Sequence, residues 1–412
     1  MKFNRHPKVA RRHDEPLADE PLAVVDAQTY ARLTSAEKSL YRPVDPRRER
    51  LPLASVILYG IAGFFLIIYI IQLCSPSFSD FFNRCISSVG RTVLSALTAW
   101  IPFSVGEAVI WLLPLGLVSV LIYAVRHWCD TWCSTMVFVG ILLSVVASLF
   151  SLFVLNFSAG YRGTTLDQKL GLTRTEVSAQ ELYDTSLILI EHINSEAGEI
   201  YFHDKDFSVM PYSLREMNEK LNRAYEQFCT AGDDLNHDFI THTPSYVKPV
   251  LASEVMSHMH ITGIYSFFTG EANINVAFPD YTIPFTAAHE MAHQRGIARE
   301  DEANFIAYLV CIGSDDPYIR YSGYLNMYEY VSNALYRADT DLYSEARGGL
   351  NYAVQYEMLA YNEFFKQYQG STISQVSQTV NNAYLQMQGT PGTQSYGMVV
   401  DLAVAYYRSG HD

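Results

Sequence analysis

The chain has 412 residues, of which 49% are hydrophobic, and it carries 43 Asp and Glu against 29 Lys and Arg. That length holds a membrane region and one full-sized globular domain. Residues 158–412 contain 15 basic and 32 acidic residues, a negative surplus that excludes nucleic acid as a partner of this part.

Residues 1–50 are polar, with 11 Lys or Arg and 8 Asp or Glu, and lack the apolar core of a cleavable signal peptide. They read as a flexible cytoplasmic arm in which Val24 to Leu40 has the pattern of a short amphipathic helix. A membrane region, 51–157, follows. Leu53 to Leu73, Pro102 to Val125 and Ser134 to Phe157 are long and apolar enough to cross a bilayer. Between the first two, residues 78–100 space Phe81, Phe82, Ile86, Val89, Val93 and Leu94 helically among Arg84 and Arg91, the pattern of a helix lying in the interface. Glu107, near one end of the second span, is expected to reach the headgroup layer. Arg42, Arg47, Arg48 and Arg50 hold the N-terminus in the cytoplasm, so three crossings leave 158–412 outside the cell. The expected location is the cell membrane, multi-pass, with the lipid bilayer as a partner.

Cys129 and Cys133 fall on the inner side and read as reduced thiols. Cys74 with Cys85, or Cys229 with Cys311, could form a disulfide, although Cys311 in its apolar helix suits a buried thiol.

Residues 158–412 open with two helices, started by Ser178 with Glu181 and by Ser213 with Glu216. Gly198 to Pro211 reads as loop or short strand, and Tyr246 to His260 as a further helix. His258 and His260 could share one face of a strand as a second metal site, but exposed or hydrogen-bonded histidines suit them better. Asn273 to Phe278 alternates polar and apolar residues, as a half-buried strand does. The tyrosine-rich helices after Asn304 should form a partly buried scaffold with wet phenol tips, and Gly397 to Tyr407 a last helix. The fold expected is mostly α: three transmembrane helices plus an α+β domain with a small sheet.

One stretch carries chemistry. His289 and His293 are four apart, which on a helix aims both imidazoles at one metal ion, and Glu290 stands where a carboxylate can serve as general base without being a ligand. Gly296 should close this helix in the left-handed conformation and let the chain reverse. Acidic residues opening the next helix then return toward the histidines, Glu300 and Glu302 both being within reach as third ligand. Glu300 is preferred because Asn304 shares its face and can hydrogen-bond a histidine from behind, whereas Glu302 has Ile306 in that place. Zinc is the expected cofactor.

Glu300-Asp301-Glu302-Ala303-Asn304 resembles the ExxAN element of gluzincin-type zinc peptidases. The wider phrase from His289 to Gly296, with Arg299 to Phe305, is similar to a bacterial membrane family catalogued only as domain of unknown function 3810. The resemblance implies a zincin-like extracytoplasmic domain that hydrolyses peptide bonds of a peptide or protein substrate, with Asn273 to Phe278 as the edge strand holding the peptide. It also implies an oxyanion donor, for which Tyr396 in Ser395-Tyr396-Gly397 is singled out because that turn recurs in the family pattern. Arg295 departs from zincins, which often carry an apolar residue there, and the spacer to Glu300 is short. The alternative is a membrane-anchored binding or sensor protein with a structural or vestigial zinc. A site inside a span is not expected, because His289 follows Phe157 by well over a hundred residues.

Overall fold

A computed structural model describes all residues except 1–22, 129–130, 204–206, 232–238, 242, 244, 369–371 and 412. Cys129, paired with Cys133 above, lies outside the described residues. The described chain is mostly helical and divides into two compact units, residues 1–58 with 115–145, and residues 59–114 with 146–412.

In the first unit, β1 (Ala23–Val25) pairs in parallel with β2 (Tyr41–Pro43), so the arm has regular structure from Ala23 onward, contrary to the flexible segment expected. Asp26 caps α1 (Ala27–Arg32) by accepting the Thr29 N–H at 2.7 Å. The helix stops at Leu33, because Glu37 takes the Thr34 N–H and hydroxyl and starts a separate turn.

Three helices have the length and apolar composition of membrane spans: α2 (Leu53–Cys74), α5 (Val105–His127) and α6 (Trp132–Phe153). Their bounds agree with the expected spans to within a few residues. The helix expected over residues 78–100 is present but broken: α3 (Pro76–Phe81) runs through a π-helical stretch, Phe82–Ser87, into α4 (Ser88–Ala99). Its polarity is inverted. Asn83, Ser87, Arg91 and Ser95 are buried while Val89, Val93, Leu97 and Trp100 are exposed, so the polar face is turned to protein and the apolar face outward. After α6 a second π-helical stretch, Val154–Ser158, leads into the short helices α7 (Ala159–Arg162) and α8 (Leu166–Leu170).

Both expected helix starts are present. Ser178 and Glu181 exchange hydrogen bonds in a capping box before α9 (Ala179–Ala197), and the Ser213 hydroxyl accepts the Glu216 N–H before α10 (Leu214–Thr230). Phe202 and Ser208 form an isolated bridge within the expected loop. Three short strands follow, β3 (Lys248–Pro249), β4 (Gly263–Ser266) and β5 (Glu271–Ile274), with α11 (Ser253–His258) between the first two.

The strand order is β3-β5-β4, parallel on one side of β5 and antiparallel on the other. The Asn273 segment therefore lies in the middle strand, where both rows of backbone groups are taken, and cannot serve as the free edge. β4 has that position.

The rest is helical: α12 (Thr282–Gln294), α13 (Glu300–Ile312), α14 (Pro317–Ala338), α15 (Thr340–Arg347), α16 (Tyr352–Lys366), α17 (Thr372–Met387), a 3-10 turn over Gly392–Met398, and α18 (Val399–Arg408). α9, α12, α13, α14 and α18 share one apolar core. Several tyrosine tips are dry rather than wet. The Tyr321 hydroxyl donates to Glu357 and that of Tyr281 to Glu329 at 2.8 Å, both rings being fully buried. A buried hydroxyl needs a partner, and the helices supply carboxylates instead of water.

Glu107 is tied to the protein: its carboxylate accepts the backbone N–H groups of Leu251 at 2.9 Å and Ala252 at 2.7 Å. Cys74, Cys85, Cys229 and Cys311 are free thiols, Cys311 buried as expected. His258 and His260 do not converge: the His260 ring stacks on Phe365, and His258 lies edge-on to Tyr368.

Candidate metal centre

Every residue of α12 is buried, which excludes a surface helix with two incidental histidines. The helix begins at Thr282, with Pro284 tolerated in the first turn where no intrahelical N–H is needed. It ends in a Schellman motif. Gly296, at φ +101°, donates its N–H to His293 O at 3.0 Å, and Ile297 N–H reaches Ala292 O at 3.1 Å. The same turn brings Ile297 O to 2.7 Å from His293 Nδ1. A carbonyl can only accept, so Nδ1 carries a proton, and it is Nε2 that faces the site, with a free lone pair whenever the imidazole is neutral.

Arg295, the departure noted above, is buried. Its guanidinium lies 3.9 Å from the Tyr225 ring centre and donates to Asn222 Oδ1 at 3.0 Å. A stacked, hydrogen-bonded arginine thus fills the place an apolar residue usually takes.

α13 returns its first residue to the histidines. Glu300 Oε2 lies 3.2 Å from His289 Nε2 and 3.4 Å from His293 Nε2. One ligand atom from each of the three residues lies within 4.8 Å of the others, a grouping able to hold a metal ion. Glu302 is engaged elsewhere: its Oε1 accepts the Leu166 N–H at 3.0 Å and faces the Arg299 guanidinium at 3.2 Å. Asp301 pairs with Arg174 at 2.9 Å. Of the three acids opening α13, only Glu300 points at the imidazoles.

Asn304, one turn along, neighbours His289, favouring its charged form, and donates its amide to the Tyr330 hydroxyl at 3.3 Å. Glu290 lies beneath β4, and its Oε2, like His289 Nδ1, is buried with no hydrogen-bond partner among the described residues.

Burial dominates the electrostatics. It pushes Glu290 up to about 8, the nearby Glu300 charge adding to it and His293 opposing it. Burial opposes a charge on His293 as well, but Glu300 outweighs it and raises this imidazole to about 9. His289, buried beside His293, is lowered. Burial would raise Glu300 too, yet the two imidazoles hold it well below the usual carboxylate range. His293 is thus held as an imidazolium against an ionised Glu300, and the two charges balance.

Tyr396 is brought to the site. It lies on the 3-10 turn, its hydroxyl 3.5 Å from the Asn381 amide, and burial and the charges of Glu300 and Glu290 keep it protonated. Sequence reasoning missed Tyr384 and Tyr330, whose hydroxyls burial and the Glu300 charge likewise hold protonated, and Tyr161, 3.5 Å from the Tyr384 hydroxyl. No local pattern separates these from the other tyrosines.

The fold and site define a mostly helical protein with three membrane-length helices and a buried His-His-Glu cluster beside a free carboxyl group. Residues 78–404 match the family described as Protein of unknown function (DUF3810), and the chain belongs to it. No curated protein and no solved structure matches the chain.

Proposed function

We propose that this protein is a membrane-anchored, zinc-dependent metallopeptidase of zincin type, with residues 158–412 outside the cell membrane and the arginine-rich arm in the cytoplasm. The observation that carries the reading is the meeting of His289 Nε2 and His293 Nε2 on one Glu300 oxygen, beside a Glu290 oxygen that has no partner among the described residues.

The donor set fits zinc: two imidazole nitrogens and one carboxylate, with the His293 tautomer fixed by Ile297 O. His289, His293 and Glu300 would hold the zinc, which would supply Lewis-acid chemistry for polarising a carbonyl and activating water. Glu290 takes the proton of the attacking water at Oε2 and delivers it to the leaving amine. A cation at the cluster favours the ionised form of Glu290 and readies it as a base. Tyr396 keeps its proton and can donate to the developing oxyanion. β4, the outer strand of the sheet, has Gly263 directly over Glu290, where an extended peptide can add as a further strand.

Burial of all three candidate ligands favours the second reading, a binding or sensor protein with a structural zinc. Metal analysis of the purified full chain, with a mixed peptide library as substrate, separates the two. Peptidase chemistry requires zinc in both wild type and Glu290→Gln and cleavage only by the former. Zinc in both without cleavage by either establishes the sensor, and wild type without zinc removes both.

A further inference from the structure

We propose that the substrates are membrane-inserted polypeptides, cut within a few residues of the point where they leave the bilayer. The inference rests on the peptidase reading and adds the substrate class.

The spans act as rulers. The helical run that begins with α6 continues to Arg162 and has 31 residues, so at 1.5 Å per residue it extends ~46 Å, longer than a hydrocarbon core of about 30 Å, and its last turns emerge from the bilayer. Phe157 lies one turn past the end of α6, and its ring is 5.8 Å from that of His293. Gly160, in the next turn, is pressed against the loop after the histidines: a carbon added there would lie 2.7 Å from Gly296 O. The metal cluster thus sits on the emerging end of α6, at headgroup level. Phe157 and His293, far apart along the chain, are brought together by the fold.

α5 gives a second, independent measure. It has 23 residues, and Glu271 of β5 accepts the N–H groups of Val105 at 3.0 Å and Gly106 at 2.8 Å in its first turn. The adjoining Gly270 carbonyl accepts from Gln294, the last residue of α12, at 2.7 Å. The sheet and the histidine helix are therefore both fastened to the outer end of this span.

β4 connects the chemistry with the bilayer. Gly263 at one end touches Glu290, and Phe267, just past the other, has its ring 5.5 Å from that of Phe153, the last residue of α6. Four residues of extended chain cover ~13 Å. A substrate strand beside β4 spans the gap between the general base and the hydrocarbon edge in about four to six residues.

Two exposed apolar faces border this region. One is the outward side of α4 described above. The other is on α17, where Ile373, Val376, Val380 and Met387 are exposed. α17 is joined to the continuation of α6 by Tyr384 on Tyr161 and by Met387 O, 3.5 Å from the Arg162 guanidinium. Both faces suit lipid at the depth where the spans end. A polypeptide held in the same bilayer reaches such a site at high effective concentration, whereas a soluble one must enter the headgroup layer first.

The test uses the full chain in liposomes, zinc-loaded, with two probes: a single-span polypeptide carrying a long outward stalk of mixed sequence, and the same stalk as a soluble peptide. Cuts mapped by mass spectrometry should cluster within about six residues of the span, with the soluble stalk cut at least tenfold more slowly. Cuts spread along the stalk, or equal rates for both probes, overturn the proposal and leave the peptidase reading standing. Zinc-loaded protein that cuts neither probe overturns both. A readout free of activity is a fluorophore on Ile264→Cys of β4, with Cys74, Cys85, Cys129 and Cys133 replaced by serine and lipids brominated at set depths. Quenching by the shallowest bromine supports the placement, and emission indifferent to all of them removes its basis.

Discussion

A carbon atom added at Gly263 would lie 2.5 Å from Glu290 Oε1. The outer strand and the proposed base are thus in contact through the absence of a side chain, so β4 fixes where the carboxylate can stand. Gly263→Ala should push the carboxylate aside while the strand's backbone bonds to β5 persist. The expected result is a loss of turnover of about tenfold to a hundredfold, as for small misplacements of catalytic groups, with zinc content unchanged. Unchanged turnover would show that the carboxylate does not need this position.

Glu300 and Glu302 are two residues apart and have opposite tasks. Glu300→Gln removes the oxygen charge on which both imidazoles converge and should abolish zinc retention. Glu302→Gln keeps an oxygen for the Leu166 N–H but loses the charge facing Arg299. It should retain zinc and lower stability, by about 1–3 kcal/mol for a weakened charged hydrogen bond. Metal content after dialysis and thermal melts in detergent check both, and the reverse pattern would exchange the assignments.

Much of this was legible in the sequence where the signal is local. Runs of some twenty apolar residues fixed three helices, Ser178 and Glu181 a helix start, and the spacing of His289, His293 and Gly296 a helix end and a shared face. What the sequence hid is pairing between distant segments. The Asn273 strand alternates as an edge strand does, but its flanks are taken by Lys248–Pro249 and Gly263–Ser266, and alternation says nothing about neighbours. The contact of Phe157 with His293 is equally silent. So is the inverted helix around Arg91, which periodicity detects without telling which face meets protein.

Lys248 and Glu271 form a buried ion pair at 2.6 Å, their side chains 8% and 1% exposed. Lys248 also donates to Thr98 O at 2.8 Å and Phe103 O at 3.3 Å, while Glu271 receives the first N–H groups of α5. Glu271→Gln leaves a buried ammonium without its counter-charge and should cost about 3–5 kcal/mol. Adding Lys248→Met removes the stranded charge and should recover part of that loss. A double variant no more stable than the single one would show that hydrogen bonds to α5, rather than charge pairing, dominate this junction.

Glu329 gives a pH dependence whose sign can be worked out. Burial raises its pKa to about 7, the hydrogen bond from Tyr281 opposing the shift and the Glu357 charge adding to it. The folded chain thus holds a proton that the unfolded chain, with an ordinary carboxyl near 4.5, releases. This contribution to stability is complete below the unfolded value and is lost as pH rises through the folded one. At 1.36 kcal/mol per pKa unit it amounts to about 3 kcal/mol at most. Glu329→Gln, an amide that still accepts from Tyr281, cannot lose a proton. Against wild type it should therefore be of similar stability near pH 5 and more stable by up to about 3 kcal/mol near pH 8. Thermal melts of the two proteins across that range measure the difference, and a gap that stays constant with pH would mean that Glu329 is ionised throughout.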